Sequence, residues 1–191
     1  GGATATSAMR CSVLATAAQG LMIGRYIVGF NDGAPQMAFA LFTGLALVAG
    51  YALLGATWLI MKTEGELQLR AIAWARGSML LCAMGVAAVS VATPLVSQQI
   101  FDKWFSFPEI LLLAPIPAVT AGLFVLTYLT LRRLPGLLAA GNHAFCWIPF
   151  AATVGIFLLA FNGLAYSLFP YLLVDRMTIW EAASAPESLE I

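Results

Sequence analysis

The chain has 191 residues, of which 61% are hydrophobic and 9% are charged. Soluble globular domains carry about 45–50% apolar and about 25% charged residues, so this composition excludes a water-soluble fold and a disordered chain. Nine Lys and Arg residues balance nine Asp and Glu residues, which leaves no basic surplus for binding nucleic acid. The composition therefore predicts a polytopic membrane protein: an all-α bundle of transmembrane helices, forming a single membrane domain over residues 1–191.

Long stretches without Asp, Glu, Lys or Arg predict the positions of the membrane spans. A bilayer core about 30 Å thick requires roughly 20 apolar residues in a helix, and a charge at the centre of a span costs at least about 2.5 kcal/mol. We predict a partial span over about residues 11–24, because this segment is short, and an outward-facing tail over residues 175–191. Four full spans are predicted, over residues 37–61, 77–101, 110–131 and 145–173.

Local signals predict where the helices begin, bend and end. Thr63 and Glu66 have the spacing of a capping box, in which the threonine oxygen accepts an amide of the first turn and the glutamate reaches back. This pattern predicts that a surface helix begins here and enters the membrane near Gly77. The fourth full span is longer than a bilayer requires, so it either tilts or ends early at Pro170.

The third full span carries further end signals. Arg132 and Arg133 are expected to close it, because cations are favoured at a helix C-terminus. Pro115 and Pro117 lie inside the predicted span and are expected to kink it. Two pairs with small-xxx-small spacing in other spans, Ala46/Gly50 and Ala151/Gly155, predict places where helices approach closely.

The Lys and Arg residues divide unequally between the two sides of the membrane. One side holds six of them and the other side holds three: Arg10, Lys62, Arg70, Arg76, Arg132 and Arg133 against Arg25, Lys103 and Arg176. Short loops rich in Lys and Arg face the cytoplasm. This rule predicts that the loops over residues 62–76 and 132–142 are cytoplasmic.

No catalytic, cofactor-binding or metal-binding residue is predicted for this chain. His143 is the only histidine, and a buried haem usually takes a second His or Met ligand, so a haem site built on it is disfavoured. The three cysteines lie far apart and form no CxxC pattern, which argues against both a disulfide framework and a zinc site: Cys11, Cys82 and Cys146.

Four residues are retained as polar or packing positions. Asn162 and Tyr166 are four residues apart on one helix face, and a buried amide needs a partner, so both are expected to face protein or a water cavity. For Asn162 and Tyr166, a role in contact between helices is favoured over a role in orienting a quinone or proton-conducting water. Glu64 and Glu66 lie at the predicted cytoplasmic edge, where they cap a helix, attract protons or dock a partner.

Two long runs of sequence resemble one family. Residues 50–68, GYALLGATWLIMKTEGELQ, are similar to the central helix and cytoplasmic loop of subunit II of cytochrome bd quinol oxidase. Residues 162–170, NGLAYSLFP, and 178–189, TIWEAASAPESL, are similar to the later helix and outward loop of the same family. The resemblance covers residues 12–191 and is nearer to the cyanide-insensitive branch than to the enteric type, whereas residues 1–11 do not share it.

The resemblance implies a subunit of a complex that passes electrons from quinol to oxygen in aerobic respiration, located in the bacterial inner membrane. In this family haems b and d belong to subunit I, so the implied partners are that haem-bearing subunit, the bilayer and quinol. The chain is then expected to ligate no haem and to support the subunit that does, and whether it binds a quinone stays open. The resemblance also implies a fragment that lacks the family's N-terminal half and last helix.

Two alternatives remain at this stage. Pro115, Pro117 and Asn162 would suit a fragment of a secondary transporter or permease, in which interrupted helices line a transport site. Such a protein would also carry an internal repeat between its halves, and none is visible. The other alternative is an assembly factor that is absent from the finished complex.

Overall fold

The computed structural model describes residues 2–30, 33–96, 101, 114–169, 171–173 and 177–178. The predicted all-α bundle is confirmed. A short antiparallel ribbon, which the sequence analysis did not predict, pairs Tyr171 with Thr178 and Leu173 with Met177. The described elements are α1 (Gly2–Ile27), α2 (Ala34–Lys62), α3 (Glu66–Val96), α4 (Pro115–Ala139), α5 (Ile148–Leu168), β1 (Tyr171–Leu173) and β2 (Met177–Thr178). The rest of the predicted tail over residues 175–191 lies outside the described residues.

Four of the described helices are long and apolar enough to cross a membrane. They cover Ala34–Lys62, Glu66–Ala92, Pro115–Ala139 and Ile148–Ser167. At most 33% of the most apolar window of any of these helices is buried within the chain, so their apolar side chains largely point outward. Large outward-facing apolar surfaces mark contact with lipid or with another protein. The chain is a multi-pass membrane protein.

Helix α1 is longer than the predicted partial span and packs closely against α2. A Cβ atom added at Gly20 would lie 2.6 Å from the Gly44 Cα atom, and one added at Gly24 would lie 2.5 Å from the Ala40 Cα atom. Both pairs, Gly20/Gly24 and Ala40/Gly44, have small-xxx-small spacing, which allows two helix backbones to approach closely. Neither pair was among the small-xxx-small pairs predicted from the sequence, which were Ala46/Gly50 and Ala151/Gly155.

Three of the four small residues selected from the sequence, Ala46, Gly50 and Gly155, also lie at helix contacts, whereas Ala151 is exposed. A Cβ atom at Gly85 of α3 would overlap the Ala46 side chain of α2. A Cβ atom at Gly50 would lie 2.8 Å from the Phe157 ring, and one at Gly155 would lie 2.9 Å from Leu123. These contacts join α2 to α3 and α5, and α5 to α4.

The turn between α2 and α3 corrects the predicted capping box. The Thr63 hydroxyl donates a hydrogen bond to the Leu59 carbonyl over 2.7 Å, and the Thr63 N–H donates to the same carbonyl over 2.9 Å. Thr63 therefore ends α2 instead of opening the next helix. Only three residues separate the two helices, and Gly65 adopts a left-handed conformation with φ +70°. Glu66 is the first residue of α3, which is one continuous helix from there into the membrane.

Helix α4 corrects two further expectations. Pro115 and Pro117 lie in its first turn, where the N–H that proline lacks would have had no helical partner, so they open the helix and do not kink it. Arg132 and Arg133 do not end the helix, which continues through Pro135 to Ala139. The predicted span over 110–131 is displaced accordingly, and its first residues, 110–113, lie outside the described residues.

Helix α5 ends at Leu168, and Phe169 is extended with φ −62° and ψ 135°. This is the conformation expected of a residue that precedes proline. The long fourth span was predicted either to tilt or to end early at Pro170. The helix ends early, two residues before Pro170 in the sequence.

The best-packed core lies at one end of the bundle, where α2 ends and α3 begins. Leu53, Ile60, Leu131 and Leu134 are fully or almost fully buried there. The cluster also includes Ala56 of α2, five residues of α3 and one residue of the segment before α5: Ala71, Ile72, Ala75, Met79, Cys82 and Cys146.

Candidate functional site

Two polar side chains tie the helices together at this packed end, which we call the helix-end junction and define by Ile60, Gln68, Arg76, Leu131 and Cys146. The first is Gln68 of α3, whose side chain is 3% exposed. Its Nε2 atom donates a hydrogen bond to the Ile60 carbonyl over 2.8 Å and lies 3.6 Å from the Cys146 Sγ atom. One amide therefore links α2, α3 and the segment before α5.

The Ile60 carbonyl needs this donor because of its position in α2. The last four carbonyls of a helix have no N–H partner within the helix, and α2 ends at Lys62. Ile60 is 0% exposed, so water does not offer an alternative. Burial raises the pKa of the Cys146 thiol above its ordinary value, while the hydrogen bond from Gln68 acts in the opposite direction. The thiol is consequently held in its neutral form.

The second tie joins α3 to α4 through Arg76. Its Nη2 atom donates a hydrogen bond to the Leu131 carbonyl over 2.7 Å. Pro135 follows Leu131 by four residues, and proline has no N–H to donate to the carbonyl four residues before it. The arginine of α3 thus supplies the donor that proline removes from α4, and α4 continues through Pro135.

Neither the hydrogen bond of Gln68 nor that of Arg76 was predicted from the sequence. A signal for Gln68 was present, because it occupies the same helical stripe as the buried residues Ala71, Ile72 and Ala75, and a glutamine on an apolar stripe indicates a buried hydrogen bond. No comparable signal existed for Arg76. Its partner is 55 residues away in sequence, and only the packing of α3 against α4 brings the two together.

The predicted polar positions on α5 lie on an exposed face. Asn162 is exposed, and its Nδ2 atom donates to the Leu158 carbonyl one turn earlier over 2.8 Å. Tyr166 is 37% exposed, and Phe161 and Phe169 on the same side are 71% and 53% exposed. This surface, which we call the Asn162 face, consists of Leu158, Phe161, Asn162, Ala165, Tyr166 and Phe169. All six residues are classed as exposed in the described part of the chain.

The two predicted glutamates also lie at the surface. Glu64 is exposed in the turn between α2 and α3. Glu66 opens α3 and pairs with Arg70 over 3.6 Å, but both side chains are largely solvated. An exposed pair of this kind contributes little to stability. The structure therefore brings these residues to the edge of the helix-end junction without making them part of it.

Groups of potential metal ligands do not assemble in the part of the chain that the structure describes. No group of three or more His, Cys, Asp or Glu side chains occurs among those residues. His143 is exposed in the connection between α4 and α5, whereas a haem inside the bundle would need a buried ligand.

An apolar groove opens on the outer surface between α4 and α5. Its volume is about 320 Å³. Trp147, at the start of α5, is 56% exposed beside it. The groove is lined by Leu123, Leu126, Trp147, Ile148, Ala151 and Ala152.

The fold and its polar ties define the class of this protein. It is a multi-pass helical membrane protein with outward-facing apolar surfaces, and its buried polar groups in the helix-end junction serve helix packing.

The family follows from comparison with known proteins. The chain belongs to the cytochrome bd terminal oxidase subunit II family, whose model matches residues 4–191. The match includes residues 4–11, although residues 1–11 were predicted not to share the family resemblance. Comparison with curated proteins gives no match. The chain is thus a membrane subunit of a bd-type terminal oxidase, the redox complex to which its family belongs.

Proposed function

We propose that this chain supports a haem-bearing subunit of the oxidase and ligates no haem itself. In this proposal, electrons pass from quinol to oxygen in the partner, which holds haems b and d. The present chain supplies a rigid bundle against which the partner packs. In the same proposal, the complex lies in the bacterial inner membrane, with the loops over residues 62–76 and 132–142 in the cytoplasm.

The observation that carries this proposal is the Asn162 face. A polar amide in a membrane span is unfavourable against lipid and usually faces other protein. Asn162 is exposed in the described part of the chain although it lies in the apolar helix α5, and the exposed side chains of Phe161 and Tyr166 lie on the same side of the helix. A neighbouring protein subunit would cover both the amide and the aromatic rings, and aromatic residues are enriched at such interfaces.

The helix-end junction supports a scaffold role from within the chain. Gln68 and Arg76 join α2, α3 and α4 by hydrogen bonds to carbonyl groups that have no helical donor. These bonds hold the bundle in one arrangement independently of any cofactor. They also bring Arg76 and the last turns of α4 to the same end as Lys62, which supports a common cytoplasmic side for the two basic loops.

A transporter fragment has less support than it had from the sequence. The motive for it was an interrupted helix at Pro115 and Pro117, but these residues open α4 and leave its interior continuous there.

Co-purification with the whole oxidase tests the proposal. We expect the tagged chain to recover a haem-containing partner at equal stoichiometry, with the reduced-minus-oxidised spectrum belonging to the partner. Phe161→Ala on the Asn162 face is expected to lower partner recovery. Leu80→Ala is the matched control, because Leu80 is a similarly exposed apolar residue on α3, at 64%.

Three results would contradict the proposal. Haem that stays with this chain after the partner is removed would show that the chain ligates haem. Purification without any haem-bearing protein would remove the supporting role. Equal partner recovery for Phe161→Ala and the wild-type chain would remove the Asn162 face as the contact surface.

A further inference from the structure

The groove between α4 and α5 has a direction along the helices. Leu123 and Leu126 line it from α4, and Trp147, the residue before α5, lines it as well. Arg133 follows Leu126 by seven residues, which is two helical turns, so it lies on the same side of α4 about 10 Å further along. An apolar groove with an exposed indole in its lining is therefore followed along α4 by an exposed arginine.

The ionised residues of the α4–α5 hairpin have one sign. Residues 110–174 contain no Asp or Glu, and their only Lys or Arg residues are Arg132 and Arg133. Both arginines are exposed, as is His143 in the connection that follows. The α4–α5 hairpin thus presents positive charge at one end and has no carboxylate of its own to neutralise it.

We propose that this groove binds an anionic phospholipid, with an acyl chain between α4 and α5 and the phosphate at Arg133. The order of the groups matches that of a phospholipid along the membrane normal, because Trp side chains lie at the headgroup level and basic residues between helices on the cytoplasmic side bind anionic headgroups. The inference rests on the chain spanning the membrane with the proposed cytoplasmic position of residues 132–142, and it does not depend on the chain's role in the oxidase.

Arg133 and Arg132 distinguish this site from general attraction to a negative surface. They are adjacent in sequence, so they lie about 100° apart around α4, and only Arg133 continues the row of Leu126. A phosphate above the groove would contact Arg133 specifically. A delocalised charge effect would use either arginine equally.

The experiment measures lipid retained by the detergent-purified chain with native mass spectrometry. Mixed micelles contain phosphatidylglycerol or the zwitterionic phosphatidylcholine, matched in acyl chains. The wild-type chain is expected to bind phosphatidylglycerol more tightly. Arg133→Gln should reduce this binding about fivefold, the effect of about 1 kcal/mol for one basic residue near a membrane surface, and Arg132→Gln should change it little.

A second variant tests the groove itself. Ala151→Phe places a ring among the lining residues, so it should displace the acyl chain while leaving both arginines in place. Inorganic phosphate and a matched isoprenoid quinone serve as competitors, and neither is expected to displace the phospholipid at concentrations equal to that of the lipid. The thermal unfolding midpoint of each variant verifies that it is folded.

The proposal is overturned by equal effects of Arg133→Gln and Arg132→Gln, which would indicate only general charge attraction. It is overturned equally by unchanged lipid retention in Ala151→Phe, or by displacement with phosphate or quinone at the lipid's concentration. Because the readout is lipid bound to this chain, failure here leaves haem-partner recovery unaffected, and the two proposals fail separately.

Discussion

The hydrogen bond from Arg76 to the Leu131 carbonyl predicts a specific coupling with Pro135. Hydrogen bonds to charged groups contribute about 1.5–3 kcal/mol, and Arg76 is an exposed residue, so we expect Arg76→Met to cost about 1.5 kcal/mol. In the Pro135→Ala background the alanine N–H donates to Leu131 instead. Arg76→Met should then cost less than about 0.5 kcal/mol, which gives a coupling energy near 1 kcal/mol.

The assay is reversible unfolding in detergent, followed by circular dichroism for the wild type, both single variants and the double variant. For a chain of this size, about 1 kcal/mol corresponds to a shift of roughly 2–4 °C in the unfolding midpoint. Arg70→Met is the control, because Arg70 is an arginine of the same helix in a solvated ion pair, and it should shift the midpoint by less than about 2 °C. An equal cost of Arg76→Met in both backgrounds would refute the proposed compensation.

Three further predictions concern packing and the helix-end junction. Gln68→Leu leaves a buried carbonyl at the end of α2 without its donor and should cost about 1–3 kcal/mol in unfolding free energy; a loss below the roughly 0.6 kcal/mol typical of hydrogen bonds between membrane helices would contradict that role. Gly85→Ala should lower the unfolding free energy by about 1–3 kcal/mol, because the added methyl group overpacks against α2. Gly77 has open space around it, so Gly77→Ala should be neutral or stabilising by up to about 1 kcal/mol. Equal unfolding midpoints for these two variants would be inconsistent with a close contact between Gly85 and α2. Cys146 should react with a small alkylating reagent far more slowly than the exposed Cys11. Because the pKa of Cys146 is raised, the alkylation rate of Cys146 should increase only at higher pH. Comparable labelling of both cysteines at pH 7, measured by mass spectrometry, would show that Cys146 is accessible.

The membrane class and the bundle could be predicted from the sequence because they depend on local quantities. Each long stretch without charged residues costs little to place in a bilayer, whereas a single charge at its centre costs at least about 2.5 kcal/mol. The early end of α5 beside Pro170 was also foreseen as one of two outcomes, since proline restricts the residue before it. The family, too, was recognisable from runs such as residues 50–68.

Other features were beyond local reading because each depends on which helices become neighbours. Thr63 matched a capping box, yet its hydroxyl bonds to the end of α2. Pro135 cannot donate to the Leu131 carbonyl, but Arg76 from another helix replaces the missing donor. The Asn162 face and the groove beside Trp147 likewise exist only after packing decides which sides stay uncovered. The sequence by itself determined which segments enter the membrane, because that is a transfer free energy summed along the chain. The tertiary structure alone decided which carbonyl meets which donor, because a hydrogen bond requires two groups within about 3 Å whatever their separation in sequence.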